Sequence, residues 1–272
     1  MSTAPEALPA AAYTALGERH YRSSVLTRGP WHPEHQHAGP PIALVCREIL
    51  HAAQAHGLTH LARITANLLR PVPIAELTVE VMTDYAGRNA AHFSAHLWAG
   101  SKDVGRFTAL VQREVPVTLP PGLPGHPLPA MLPPPEDCPV ARFPFAGRHV
   151  GYSDLVETRS ARGTIFQGPA AIWFRLRHPL VEGDAAGTTP PVAVFADSGN
   201  GISAVLDIRH YSFVNSDLTI NLVRPPVGEW IGLDARSLVG PAGGGLAESV
   251  LYDTQGLIGR ATQSLAVRVH PG

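Results

Sequence analysis

Thr65-Ala-Asn-Leu-Leu-Arg-Pro71 returns 154 residues later as Thr219-Ile-Asn-Leu-Val-Arg-Pro225, with five of seven positions identical. The same offset relates Leu97-Trp-Ala-Gly-Ser-Lys-Asp-Val-Gly-Arg-Phe-Thr108 to Leu251-Tyr-Asp-Thr-Gln-Gly-Leu-Ile-Gly-Arg-Ala-Thr262, where four of twelve are identical. Two matches at one offset, each inside a strand-like run, indicate a duplication rather than chance. The period is too long for a solenoid and is the size of a domain. The chain therefore reads as two copies of one fold, with any site expected where they meet.

Outward from these repeats, each copy shows the same order of elements. In the first, Gly17–Val25 reads as a strand. A loop rich in Gly, Pro and His, residues 28–41, leads into a helix from Ile42 to about His56. Ile42, Val45, Cys46 and Ile49 share one face, prolines sit at the first turn, and Gly57 follows the end. Strand-like runs follow at Ala62–Arg70, Ala75–Tyr85, Ala90–Ala99 and Val104–Val115, the second with clean period-two alternation. In the second copy Thr164–Arg177 reads as a strand and Val192–Ala204 as a helix weakened by Gly199 and Gly201. Strands are expected at Ser216–Arg224, Trp230–Leu238, Gly245–Tyr252 and Ile258–Val269. One helix cannot cover both faces of such a sheet, so each sheet should wrap around its helix. Two units placed side by side then bury their open edges against each other. The expectation is an α+β fold of two such units, residues 1–115 and 151–272.

Between them, residues 116–150 form a connector. Eleven of the 27 prolines lie between Val115 and Pro144, and proline supplies no donor to helix or ladder. The bulk numbers exclude several classes. With 44% hydrophobic and 16% charged residues the chain is globular rather than disordered. A net charge of −1, with no Lys/Arg block, gives no drive toward nucleic acid. Two cysteines, Cys46 and Cys138, make no disulfide framework and suit a reducing compartment. The N-terminus lacks a signal-peptide pattern, and no run of about 18 apolar residues could span a membrane. A soluble cytoplasmic protein is expected.

The sequence resembles the double hotdog acyl-CoA thioesterases, in particular the acyl-CoA thioesterase II (TesB-like) family. The resemblance rests on Arg28-Gly-Pro-Trp31 with His37-Ala-Gly-Pro-Pro41, on Ala196-Asp-Ser-Gly-Asn-Gly201, and on the block from Asn215 to Trp230. Leu251-Tyr-Asp253 and Gly259-Arg-Ala-Thr-Gln263 complete it. It implies a double hotdog fold and hydrolysis of acyl-CoA by an activated water, with no metal and no cofactor. In the family the water is held by an Asp of the second helix, a Thr on the next strand and a Gln on the last strand. Asp197 and Gln263 match two of these. Asn215 stands where the Thr is expected, and its amide can also hold a water. The subgroup that the sequence resembles commonly carries His-Gly-Gly where His37-Ala38-Gly39 stands here.

Hydrolysis needs a base for the water, donors for the developing oxyanion and shelter for an apolar tail. Asp197 is the candidate base, with Asn215 and Gln263 fixing the water. His37, Gly39 and Gly199 are candidate substrate-binding residues, Gly39 as an oxyanion donor because a residue without a side chain admits the carbonyl closely. Plainer readings exist for each: Asp197 as a cap, Gln263 as an exposed strand residue, Asn215 as loop, Gly39 as a tight turn. His32, His35 and His37 have the side chains of a metal site but no carboxylate or thiolate at ligand spacing. Arg70 and Arg224 are read as pairing with carboxylates of the opposite half, or as meeting CoA phosphates. Two other functions stay open: a non-catalytic acyl-CoA or lipid-binding module, and a double-hotdog enoyl-CoA hydratase. The hydratase expects an Asp and a His a few residues apart, whereas the next histidine after Asp197 is His210. One chain supplies the pseudo-dimer, and association into a homo-oligomer is left open.

Overall fold

The computed structural model describes residues 7–122, 130–184 and 189–270. The start of the N-terminal segment and the middle of the proline-rich connector lie outside the described residues.

The first unit opens with a hairpin, β1 (Tyr13–Gly17) and β2 (His20–Ser23), rather than the single strand expected from Gly17. The turn between them carries Arg19 at φ 54°, a conformation the periodicity does not reveal. Helix α1 (Gly39–Gln54) starts one turn earlier than the pattern implied, because Pro40 and Pro41 belong to its first turn, where no N–H is needed. Gly57, at φ 65°, turns the chain out of it. Strands β3 (His60–Leu68), β4 (Glu76–Ala86), β5 (Ala90–Ala99) and β6 (Lys102–Gln112) follow. All pairings are antiparallel, in the order β1-β2-β4-β5-β6-β3.

The second unit begins with a short turn of helix, α2 (Tyr152–Leu155), then β7 (Val156–Arg162) and β8 (Ala170–Leu176). The strand expected from Thr164 to Arg177 is thus corrected. Thr164–Gln167 is a turn, with Phe166 at φ 64° and Gly168 at φ 89°, and β7 before it carries too few apolar residues to announce itself. The expected continuous helix is also two pieces, α3 (Thr189–Ala196) and α4 (Gly199–Ser203). The last strands are β9 (Tyr211–Asn215), β10 (Asp217–Leu222), β11 (Ile231–Val239), β12 (Gly244–Asp253) and β13 (Gly256–Val269). Both β9 and β10 pair with β13, so they are one strand interrupted at Ser216.

The two units meet along three seams. β3 pairs antiparallel with β10, which merges both sheets into one. At the far side, the N–H groups of Ala12 and Tyr13 donate to the carbonyls of Pro179 and Leu180. Between these seams α1 packs against α3 inside the curved sheet. Ile42, Cys46 and Ile64 of one unit share a buried cluster with Val192, Val194 and Ile220 of the other. Burial of such side chains on both helices is the main stabilisation of the arrangement.

Arg70 and Arg224 do not reach across. The Arg224 guanidinium clamps Asp253 of its own unit, and Arg70 donates to the backbone carbonyl of Asp103. Asp253 is fully buried and also accepts the N–H groups of Val227 and Gln255. Burial alone would raise its carboxyl, but Arg224 and these two N–H groups hold it below the usual range.

Candidate active site

The break between α3 and α4 creates the site. Ser198 N bonds back to Phe195 O at 2.8 Å, closing α3 with a tight turn, and Asp197 is left at the bend with 8% exposure. Its carboxylate points toward the start of α1. There Gly39 N donates to Oδ2 at 3.0 Å, and His37 Nδ1 lies 3.1 Å from the same oxygen. Oδ1 accepts from Asn215 Nδ2 at 2.7 Å and from Gln263 Nε2 at 3.1 Å. The sequence candidates Asp197, Asn215, Gln263, His37 and Gly39 therefore converge on one carboxylate, from both units. The helix N-terminus adds a favourable field for its negative charge.

Local structure explains each position. The interruption between β9 and β10 frees Asn215 to turn inward, half-buried. Gln263 is 2% exposed on β13, so the exposed-strand reading does not hold. Its other face accepts the N–H of Asn200 at 3.2 Å. Gly199 lies beneath it: a Cβ there would stand 2.9 Å from Ser249 Oγ and 3.1 Å from Gln263 Oε1. Gly39 also has a packing reason to be glycine. A Cβ would fall inside the carbonyl of Val194, so the residue lets α1 and α3 touch. Ala38 has φ −71°, an ordinary helical value that needs no glycine.

His37 is nearly buried, and burial pushes its imidazole below the ordinary value; Asp197 pulls the other way without reversing the shift. Its Nδ1 lies within reach of both the Gly39 N–H and Asp197 Oδ2. A proton on Nδ1 gives the bond to Asp197; a lone pair there accepts from Gly39 instead. His32 and His35 stack on each other at 4.1 Å and leave His37 to the site, so the three do not converge.

Sequence reasoning missed Tyr152. Its ring stacks on His37 at 3.8 Å with 4° between planes. Its hydroxyl donates to Val194 O at 3.0 Å and lies 2.8 Å from Ser198 Oγ, on either side of Asp197. Ser198 N has turned to Phe195 O, and Tyr152 supplies the donor that the Val194 carbonyl receives. Nothing in Gly151-Tyr-Ser153 signals this, because the partners are supplied only by the fold.

No helix among the described residues is long and apolar enough to cross a membrane. No protein of curated function matches the chain by sequence. Among solved structures, a conserved protein of unknown function with a hot dog fold from Alicyclobacillus acidocaldarius superposes with a TM-score of 0.72 at 16% identity, over 97% of both chains. A Thermobifida fusca protein provisionally described as a thioesterase II gives 0.70 at 15% identity, over 95% of this chain and 96% of that one. An acyl-CoA thioesterase II, TesB2, from Mycobacterium marinum gives 0.61 at 16%, over 94% and 96%. At these identities the likeness establishes the double hotdog architecture. The family assignment comes from the sequence: residues 27–113 match the acyl-CoA thioesterase N-terminal domain and residues 135–267 the C-terminal domain. The chain belongs to the acyl-CoA thioesterase family.

Proposed function

We propose that the chain hydrolyses acyl-CoA thioesters to a free acid and CoA, with Asp197 taking the proton of the attacking water. The observation that carries this reading is the buried Asp197 carboxylate, presented at a helix break and held on both oxygens by neutral donors. Fixed donors orient the carboxylate before substrate arrives, which is where preorganised sites gain their rate. Asn215 and His37 are its less buried neighbours, so water and thioester approach from their side.

The steps follow from ordinary thioester chemistry. Water adds to the carbonyl carbon as its proton passes to Asp197. The carbonyl oxygen becomes negative, and the Gly39 N–H at the start of α1, which donates to Asp197 in the resting site, meets it once the carboxylate is protonated. The C–S bond then breaks, and the proton on Asp197 passes to the departing thiolate. Asn215 and Gln263 keep the carboxylate aligned throughout.

One observation favours a second reading. The fold brings His37, from the other unit, to within 3.1 Å of Asp197, and such a pair also suits addition of water to an enoyl-CoA. The experiment is thiol release from saturated and 2-enoyl-CoA thioesters, with Asp197→Ala beside the wild type. Thiol release that falls by about a hundredfold or more in the variant supports hydrolysis. Loss of the enoyl chromophore without thiol release replaces it with hydration. Saturable binding with neither leaves a binding module.

A further inference from the structure

The connector returns to the first unit just before α2. Tyr152 N donates to Arg28 O at 2.9 Å, and Arg28 Nη1 donates to Val150 O at 3.1 Å, so the loop around Trp31 and the end of the connector are stitched together. Between them lies a cavity of about 220 Å3, walled by Trp31, Arg148, His149 and Tyr152. Tyr152 is shared with the active site, since the same ring stacks on His37. Arg148 is shared with a second cavity, of about 760 Å3, bordered by Phe166 and by the segment following α4. Phe166 reaches within 3.8 Å of where a Cβ on Gly201 would stand. The two cavities have the Arg148 wall in common, and the first of them, the groove beside Trp31, reaches the active site through Tyr152.

The groove has a specific chemistry. Trp31 is 61% exposed, an unusual state for a ring of that size. Arg28 is occupied by the carbonyls of Pro33 and Val150, and Arg209 by the carboxylate of Asp207. Arg148 also lines the groove and is exposed, with no side-chain hydrogen bond or ion pair among the described residues. An unpaired guanidinium beside an exposed indole suits a nucleotide: the fork matches phosphate oxygens and the indole offers a face to a base.

We propose that this groove holds the nucleotide end of CoA, with Arg148 on its phosphates and Trp31 against its adenine. This rests on the hydrolytic reading and deepens it, because it names the residues that hold the nucleotide, the part of CoA that a carrier protein lacks. Both carriers present a phosphopantetheine arm, but only CoA adds an adenine for the indole to meet. An acidic carrier protein would call for a broad basic surface, and the chain's net charge is −1.

The test compares one acyl group on CoA and on pantetheine, which lacks the nucleotide. Arg148→Ala and Trp31→Ala should each lower the ratio of kcat/KM for acyl-CoA to that for acyl-pantetheine by about five- to tenfold. Raising the salt should lower the same ratio in the wild type. Ratios that stay within about twofold of wild type in both variants overturn the assignment, whatever happens to the absolute rates. If neither thioester is turned over, hydrolysis itself fails, and the groove is judged by calorimetry with free CoA. Binding weakened by both substitutions keeps the assignment; binding indifferent to them removes it.

Discussion

Thr65 and Thr219 face each other across β3 and β10, and Thr219 Oγ1 donates to Thr65 Oγ1 at 3.2 Å. They are also each other's counterparts in the duplicated sequence, so the local twofold axis passes between them. Helices α1 and α3 cross beside this axis, where Gly39 meets Val194. The fold therefore has two positions for a site, related by this axis. At one stand Asp197, Asn215 and Gln263. At the other, the strand counterparts of Asn215 and Gln263 are Leu61 and Ala109, both buried and apolar. Duplication doubled the scaffold, and only one copy of the chemistry is present.

One acyl-CoA per chain should therefore bind. An Asp197→Asn variant, slowed in turnover, titrated calorimetrically with a substrate should saturate at one equivalent. Two equivalents of equal affinity would mean that the apolar counterpart still takes ligand.

Asn215 tests the departure from the family pattern. Its Nδ2 donates to Asp197 Oδ1 at 2.7 Å, the shortest of the bonds to that carboxylate. Asn215→Thr retains a hydroxyl donor and should keep activity within about tenfold, whereas Asn215→Val leaves one side of Asp197 without a partner. For Asn215→Val, kcat should fall by about ten- to a hundredfold with a smaller change in KM. Equal rates for Thr and Val would show that the amide does not act through Asp197.

Much of this architecture is legible in the sequence, and the gaps have local causes. The duplication exposes the two units, and alternation exposes strands such as β4, because side-chain period reports which face is buried. Hairpin β1–β2 and the turn before β8 are hidden because Arg19 and Phe166 occupy positive φ without being glycine, and β7 because it carries few apolar residues. Asp197 and Gln263 are found through the family resemblance, but the break that aims Asp197 is not: Val192–Ala204 has no proline inside it, and only weak helix formers at 199 and 201. Tyr152 and Arg224 show the same limit, since their partners are chosen by tertiary packing.

Gly39 should tolerate no side chain. Gly39→Ala places a methyl in the Val194 carbonyl, so α1 and α3 must separate. Overpacking of this kind costs about 1–3 kcal/mol. The expected result is a thermal midpoint several degrees lower, together with loss of activity as the Gly39 N–H leaves Asp197. Ala38→Gly, at an ordinary helical φ, should be nearly neutral for activity. A stable, active Gly39→Ala protein would contradict the close approach of the helices.

Tyr152 should act as a positioning residue. Tyr152→Phe keeps the stack on His37 but removes the donor to Val194 O, leaving a buried carbonyl unsatisfied at about 1–3 kcal/mol. Tyr152→Leu removes both. If the ring orients His37, kcat should drop further in the Leu variant than in Phe, with the pH profile of kcat displaced only in Leu. Parallel losses of stability with an unchanged kcat and profile would reduce Tyr152 to a packing role.

His37 sets a pH dependence whose sign can be worked out. Burial lowers its pKa below the ordinary 6.5, so in the unfolded chain it takes up a proton before the folded chain does. The unfolded state then binds more protons in the window from 6.5 down to the folded value. Its contribution to stability is intact above that window and is lost as pH falls through it. Asp253 adds a separate loss at lower pH, because its depressed carboxyl favours the fold above the ordinary 3.8 and ceases to as pH falls further. Thermal midpoints should therefore fall from pH 7.5 to pH 5 more steeply in the wild type than in His37→Asn, which cannot titrate there. An Asp253→Asn protein, less stable at neutral pH, should show a flatter decline below about pH 4. Identical slopes for wild type and His37→Asn between pH 7.5 and 5 would place the imidazole in contact with solvent rather than sealed between Tyr152 and Asp197.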